Sequence, residues 1–219
     1  MNIAIILASG SGSRIKSSNL PKQFVVVNDK PILFYSVLTF EKCSYIDQII
    51  IVSNEDYFDF INKWINLLNI SKVSNLVKGG NSRQESSYLG VTSVNACEDD
   101  IILIHDAARP LISEEIIINN IKAAKEHKSV ITAIKSTDSI VSIQDGYLNR
   151  EHIYSVQTPQ TFKFKDIKSA HESAVKNGIL NASDDASLFD EKPCIVEGSK
   201  INFKITNDED LSYFICVVK

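Results

Sequence analysis

Short runs of apolar, β-branched residues recur along the chain and alternate with longer stretches of helical spacing. Residues 2–8, 48–52, 73–77, 101–104 and 130–134 have the near-continuous apolar character of strands buried on both faces. Residues 31–42, 55–68, 84–94 and 113–127 repeat their apolar positions every three or four residues, and in the last of these Ser113 precedes Glu114 and Glu115, a capping residue followed by an acidic first turn. Strands alternating with helices imply right-handed βαβ units. The expected fold is therefore α/β, a mostly parallel Rossmann-like sheet with helices on both faces.

The rhythm changes after Lys135. Residues 138–143, an Asp145-Gly146 turn and residues 147–157 predict an extended β-arm or hairpin, spanning about 136–158 and inserted into the main fold. An arm of this kind suits packing on a partner subunit, so a homodimer is expected. Helical spacing returns over 164–176, followed by a short helix near 183–189, strands around Ile195 and Ile201, and a last helix from Asp208.

With 219 residues and no repeat or linker, the chain reads as one domain. The balance of 23 Lys and Arg against 27 Asp and Glu gives a net charge of −4, which lacks the broad positive field of nucleic-acid binders. Anionic ligands must then be held locally. Cys43, Cys97, Cys194 and Cys216 are too dispersed for a zinc cluster or a disulfide framework. The N-terminus has no basic leader, and no apolar run reaches membrane-spanning length, so a cytoplasmic, non-membrane protein is expected.

Four groups of residues carry candidate chemistry. Directly after the first strand comes Ser9-Gly10-Ser11-Gly12-Ser13-Arg14, then Pro21-Lys22-Gln23. Glycines there let backbone N–H groups approach phosphate oxygens. A dinucleotide fingerprint would need glycine where Ile15 stands, and the Lys-Ser/Thr end of a P-loop is missing. What remains is a glycine loop with two cations, Arg14 and Lys22, suited to gripping a triphosphate. A second turn, Gly79-Gly80-Asn81-Ser82-Arg83-Gln84-Glu85-Ser86, offers amides and a hydroxyl to a base edge, or else simply caps a helix.

The third group, His105-Asp106-Ala107-Ala108-Arg109-Pro110, ends a buried strand, where open α/β sheets place their ligands. Asp106 there can bind Mg²⁺ that also bridges phosphates, or can pair with Arg109 or cap a turn. His105 reads as a packed histidine with no assigned role. The fourth group comprises Arg150, Gln157-Thr158-Pro159-Gln160, Ser183-Asp184-Asp185-Ala186 and Asn202-Phe203-Lys204-Ile205-Thr206. Lys204 either points to solvent, which periodicity alone favours, or reaches an anion in a cleft.

Taken together, these ordered motifs resemble the 2-C-methyl-D-erythritol 4-phosphate cytidylyltransferase family over nearly the whole chain. The sister family of ribitol-5-phosphate cytidylyltransferases shares most of them. Ala108 and the Arg83-Gln84-Glu85-Ser86 segment favour the erythritol enzymes. The resemblance implies a nucleotidyltransferase fold and an Mg²⁺-dependent reaction of CTP with a small polyol phosphate. It implies that Arg14, Lys22 and Lys204 are catalytic, and that Ala8, Ser9, Gly10, Gly12, Gly80 and Ser86 bind the nucleotide. Asp106, Arg109 and Thr158 would then lie on the acceptor side, with Asp106 also on the metal, and Arg150 and Ser183 would reach across from a neighbouring subunit. Two departures, Ser9 for the usual alanine and Ser183 for the usual threonine, touch these contacts. A binding protein that kept the fold and lost catalysis would be expected to lack a cation or the metal ligand, yet Arg14, Lys22, Asp106 and Lys204 are all present.

Overall fold

The computed structural model describes residues 1–10 and 20–219. Its centre is a seven-stranded sheet built from β1 (Asn2–Leu7), β4 (Gln48–Ser53), β5 (Val73–Lys78), β6 (Ile101–Asp106), β7 (Ser129–Lys135), β10 (Tyr154–Lys163) and β11 (Cys194–Glu197). The spatial order is β11-β7-β10-β6-β1-β4-β5, and β10 alone runs antiparallel to its neighbours. Strands β2 (Val26–Val27) and β3 (Lys30–Pro31) form a small separate ribbon.

Alternation along β1 sets the layers. Ala4 and Ile6 pack beneath Phe34 of α1 (Ile32–Lys42), Ile61 of α2 (Phe58–Leu67) and Ile117 of α4 (Glu114–Ala124). Ile3 and Ile5 face Val91 of α3 (Arg83–Thr92) and Ile167 of α5 (Phe164–Lys176). A strand whose successive side chains point to opposite layers must be apolar at every position, which is why these strands read as continuous runs. A third cluster joins Val27 and Ile32 to Ile205 and to Leu211 and Phe214 of α6 (Asp208–Val217).

The expected α/β fold with helices on both faces is present, and Ser113 caps α4 by accepting a hydrogen bond from the Ile116 N–H. Three expectations need correction. The protruding hairpin is short, pairing β8 (Val141–Ser142) with β9 (Gly146–Tyr147), and Tyr154–Gln157 belongs instead to β10, paired with Lys135–Thr132 of the main sheet. The segment around Ile201 is a turn rather than a strand, closed by the Asn202 N–H on the Ser199 carbonyl. Near 183–189 only a single 3-10 turn forms, at Ala186–Leu188. The four cysteines are free thiols, and among the described residues no helix is long and apolar enough to cross a membrane.

Candidate active site

A cleft of about 480 Å³ opens at the carboxyl ends of β1 and β6. That is within the usual size of a small-molecule site. Ala8, Ser9 and Gly10, Gly80 and Ser86, Asp106, and Lys22 and Lys204 all line it, so eight of the sequence-derived candidates meet in one place. Arg14 and Gly12 lie outside the described residues. The charged lining among the described residues is Lys22, Arg83 and Lys204 against the single carboxylate of Asp106, an excess of positive charge suited to a polyanion.

Gln23, buried in a 3-10 turn at Lys22–Phe24, fixes the glycine loop: its Nε2 donates to the Ala8 carbonyl at 2.7 Å and to the Gly10 carbonyl at 2.8 Å. Across the cleft, Ser82 caps α3 while Gly79 passes close to Ser9 of the glycine loop. A Cβ on Gly79 would lie 2.3 Å from Ser9 Cβ, so glycine is required for the two loops to touch. Both sequence readings of this turn hold at once: Ser82 is the helix cap, and Gly80 and Ser86 face the cleft. Ser86 Oγ donates to the Ser82 carbonyl at 2.9 Å and accepts from the Gly80 N–H at 3.1 Å. Its one hydrogen is therefore used, and Ser9 is the donor in the 2.8 Å contact between the two hydroxyls.

Asp106 ends β6 and is clamped on several sides. Lys204 Nζ donates to Oδ2 at 2.7 Å and Arg83 Nε to Oδ1 at 3.3 Å. The Asp106 backbone N–H donates to Thr158 Oγ1 at 3.1 Å. Burial disfavours the charged carboxylate, but Arg83 and Lys204 outweigh that cost and hold Asp106 ionised, well below the usual carboxylate range. Lys204 reaches this anion because Ile205 is fully buried in the third cluster while its neighbours Lys204 and Thr206 line the cleft. Of the two alternatives for Lys204, the structure shows the anion contact.

Thr158 and Arg109 are not among the residues that line the cleft; Thr158 bonds the backbone of Asp106, and Arg109 bonds the Asn202 carbonyl two residues before Lys204. His105 Nε2 lies 3.0 Å from the Arg109 carbonyl, which can only accept, so Nε2 carries the hydrogen and Nδ1 accepts from the Thr158 hydroxyl at 3.0 Å. Burial drives the His105 pKa down to about 4, keeping the ring neutral. The Thr158 hydroxyl is thus committed to His105 and to the Asp106 N–H. Arg109 Nη1 donates to the Asn202 carbonyl at 2.9 Å and Nη2 to the Val156 carbonyl at 3.3 Å, so the Arg109–Asp106 side-chain pairing considered from the sequence is not formed. Arg150 and Ser183 are exposed and outside the cleft, with Arg150 donating to the Thr137 carbonyl and Ser183 to Asp184.

Sequence reading gave no role to Arg83, Asp185 or His171. Arg83 Nη1 donates to the buried Asp185 at 2.8 Å, and His171 Nε2 lies 3.3 Å from the other Asp185 oxygen. Burial opposes ionisation of Asp185, yet the Arg83 charge lowers its pKa. The 102-residue separation of Arg83 and Asp185 leaves no local signal.

Asp106 is the one carboxylate available to a divalent cation in the cleft, and no cluster of three or more His, Cys, Asp or Glu side chains exists among the described residues. This fits Mg²⁺, which is commonly held by one or two carboxylates together with water and substrate phosphates. Lys204 and Arg83 each engage one Asp106 oxygen, and each oxygen keeps a further lone pair.

An open α/β sheet with a cationic cleft at its strand ends, beside Gly10 and a single carboxylate, suits the binding of a nucleotide polyanion, as in nucleotidyltransferases. The sequence profile of the 2-C-methyl-D-erythritol 4-phosphate cytidylyltransferases matches residues 2–218, and the chain belongs to that family. It is 40% identical over 220 residues to the 2-C-methyl-D-erythritol 4-phosphate cytidylyltransferase of Clostridium acetobutylicum, covering 96% of this chain and 94% of the relative. It is 34% identical to the ribitol-5-phosphate cytidylyltransferase of Streptococcus agalactiae serotype III, covering 98% of this chain and 94% of the relative. The solved 4-diphosphocytidyl-2C-methyl-D-erythritol synthase of Anaerococcus prevotii superposes with a TM-score of 0.86 at 30% identity, over 100% of this chain and 96% of that one. The enzyme is a cytidylyltransferase acting on a polyol phosphate.

Proposed function

We propose that the enzyme transfers CMP from CTP to 2-C-methyl-D-erythritol 4-phosphate, releasing pyrophosphate, as a step of non-mevalonate isoprenoid precursor synthesis in the cytoplasm. The observation that carries this reading is the convergence of Lys22, Lys204 and Asp106 on one cleft beside the Ala8-Ser9-Gly10 loop. The acceptor is supported by the family profile and by the 40% identity to a methylerythritol phosphate enzyme, against 34% to a ribitol phosphate enzyme. Ribitol 5-phosphate is the second reading, because relatives with that specificity cover 98% of the chain.

The acceptor phosphate is already largely dianionic near neutral pH, its second pKa being about 6 by analogy with phosphorylated side chains, so no protein nucleophile or base is needed. An acceptor oxygen attacks the α-phosphorus of CTP as the bond from that phosphorus to the leaving pyrophosphate breaks. Rate enhancement rests on in-line alignment and on cations placed where charge accumulates. Lys22 and Lys204, with Arg14, are the cations assigned to that task. Ala8, Ser9, Gly10 and Gly12 take the phosphates, and the wall formed by Gly80 and Ser86 lies against cytosine or ribose. Asp106 would hold Mg²⁺, which when bound neutralises the triphosphate and polarises the α-phosphoryl group. Arg109 and Thr158 support the acceptor side from beneath Asp106.

A homodimer is part of the proposal. The hairpin displays Val141, Ile143 and Tyr147 to solvent, Ile143 completely, an apolar edge that a second subunit would cover. Arg150 and Ser183 would then act across the interface, which accords with their exposure outside the cleft of their own chain.

The test is pyrophosphate release from CTP and Mg²⁺ with each acceptor. A kcat/KM for methylerythritol phosphate at least tenfold above that for ribitol 5-phosphate supports the first reading. The reverse ranking moves the enzyme to the second.

A further inference from the structure

Arg83 occupies an unusual position for a residue without an assigned role. Its guanidinium spans two buried carboxylates from distant parts of the chain, Asp106 in the cleft and Asp185 behind it. Asp185 is in turn fixed from its own sides. The Asp185 and Ala186 backbone N–H groups both donate to Gln160 Oε1, at 2.9 and 3.0 Å, and His171 stands 3.3 Å from Oδ1. Gln160 is a residue of β10, and its register partner on β6 is Ile104, two residues before Asp106. The frame that locates Asp185 is therefore the same sheet that carries Asp106.

Two carboxylates that are both ionised and largely buried each need a cationic partner, and Arg83 serves both at once. A planar guanidinium with donors on two edges does this, whereas an ammonium is a single point of charge. Arg83 is buried except for its share of the cleft lining, with a side chain 23% exposed, and Asp185 is 1% exposed and does not reach the cleft.

We propose that Arg83 and Asp185 are positioning residues: Asp185 aims the Arg83 guanidinium, and Arg83 fixes the orientation of the Asp106 carboxylate toward the reacting phosphates. The inference rests on the cytidylyltransferase reading of the cleft. Lys204 holds the opposite oxygen of Asp106 at 2.7 Å, so the carboxylate lies between a cleft-facing cation and one anchored behind it. Loss of Asp185 alters no residue that lines the cleft but removes the anchor of Arg83.

The experiment is a double-substitution cycle on kcat with CTP and the preferred acceptor, using Asp185→Asn, Asp106→Asn and the pair. The inference predicts that Asp185→Asn lowers kcat about tenfold with KM for CTP changed less than twofold, and that the same substitution has little effect once Asp106 is Asn. Should Asp185→Asn fail to fold, Arg83→Lys takes its place in the cycle, since lysine keeps the charge but cannot span both carboxylates. Penalties that multiply in the double variant, or a loss confined to melting temperature, overturn the positioning role. Wild-type turnover is measured in the same series. Its absence contradicts the cytidylyltransferase reading and the inference with it, whereas wild-type turnover with multiplying penalties contradicts the inference alone.

Discussion

Lys22 and Ile205 join the two walls of the cleft, the lysine ammonium donating to the isoleucine carbonyl at 2.6 Å. Ile205 is itself hung on the floor by its N–H to the Ala108 carbonyl, 2.8 Å away. The segment bearing Lys204 is therefore seated by one catalytic candidate and carries another. Lys22→Ala removes a cation and loosens the support of a second. A fall in kcat on the order of 10²- to 10³-fold is expected, as for the loss of a preorganised charge-stabilising donor. The lost hydrogen bond should cost about 1 kcal/mol, or a melting-temperature drop of about 2–4 °C. Steady-state kinetics beside calorimetry separate the two effects, and near-normal turnover refutes the role.

Thr158→Val preserves shape while deleting the hydroxyl between His105 Nδ1 and the Asp106 N–H. It leaves a buried ring nitrogen and a buried amide unsatisfied, at about 1–3 kcal/mol each. Because the hydroxyl has no hydrogen left for substrate, the expected signature is lower stability and lower kcat with KM for the acceptor little changed. A selective rise in acceptor KM at unchanged stability would show instead that Thr158 touches the acceptor directly.

Stability should fall on acidification in a window that His105 sets. Burial lowers its pKa from 6.5 to about 4, so below pH 6.5 the unfolded chain takes up a proton that the folded protein refuses. Its contribution is complete above pH 6.5 and is lost progressively as the pH falls toward 4, amounting to roughly 3 kcal/mol at 1.36 kcal/mol per pH unit. Asp106 and Asp185, both with lowered pKa values, add their losses at more acidic pH. Urea unfolding at pH 8, 6 and 5 measures the slope, and a flat profile across that range contradicts the buried neutral imidazole.

Ile143→Asp with Tyr147→Ser should yield a monomer in sedimentation equilibrium while circular dichroism stays unchanged, since both side chains are exposed in the single chain. A dimer that survives the double substitution places the interface elsewhere.

The parts of the fold that were legible in the sequence are those where burial leaves a periodic mark. Strands β1, β4 and β6 are apolar at almost every position because each is covered on both faces, and α4 shows both its cap and its apolar stripe. Strand β10 carries no such mark, because Gln157, Thr158, Gln160 and Thr161 are polar though buried. Each is satisfied by a partner far along the chain, as when Gln157 donates to the Ser199 carbonyl or Thr161 donates to Asn120 Oδ1. The cleft-lining candidates were legible through ordered motifs. Arg83 was visible within one of those motifs, but its meaning depends on Asp185, which only the fold brings near. Lys204 shows the same limit, since periodicity marks a break in an apolar run without showing which anion the lysine reaches.

The proposed chemistry requires direct transfer of the cytidylyl group to the acceptor within this cleft. Incubation of the enzyme with CTP, Mg²⁺ and labelled pyrophosphate, with and without methylerythritol phosphate, tests it most directly. A CDP-linked polyol should form, with label entering CTP only when the acceptor is present. Failure to form that product with either polyol phosphate, or exchange of label into CTP without any acceptor, would contradict it.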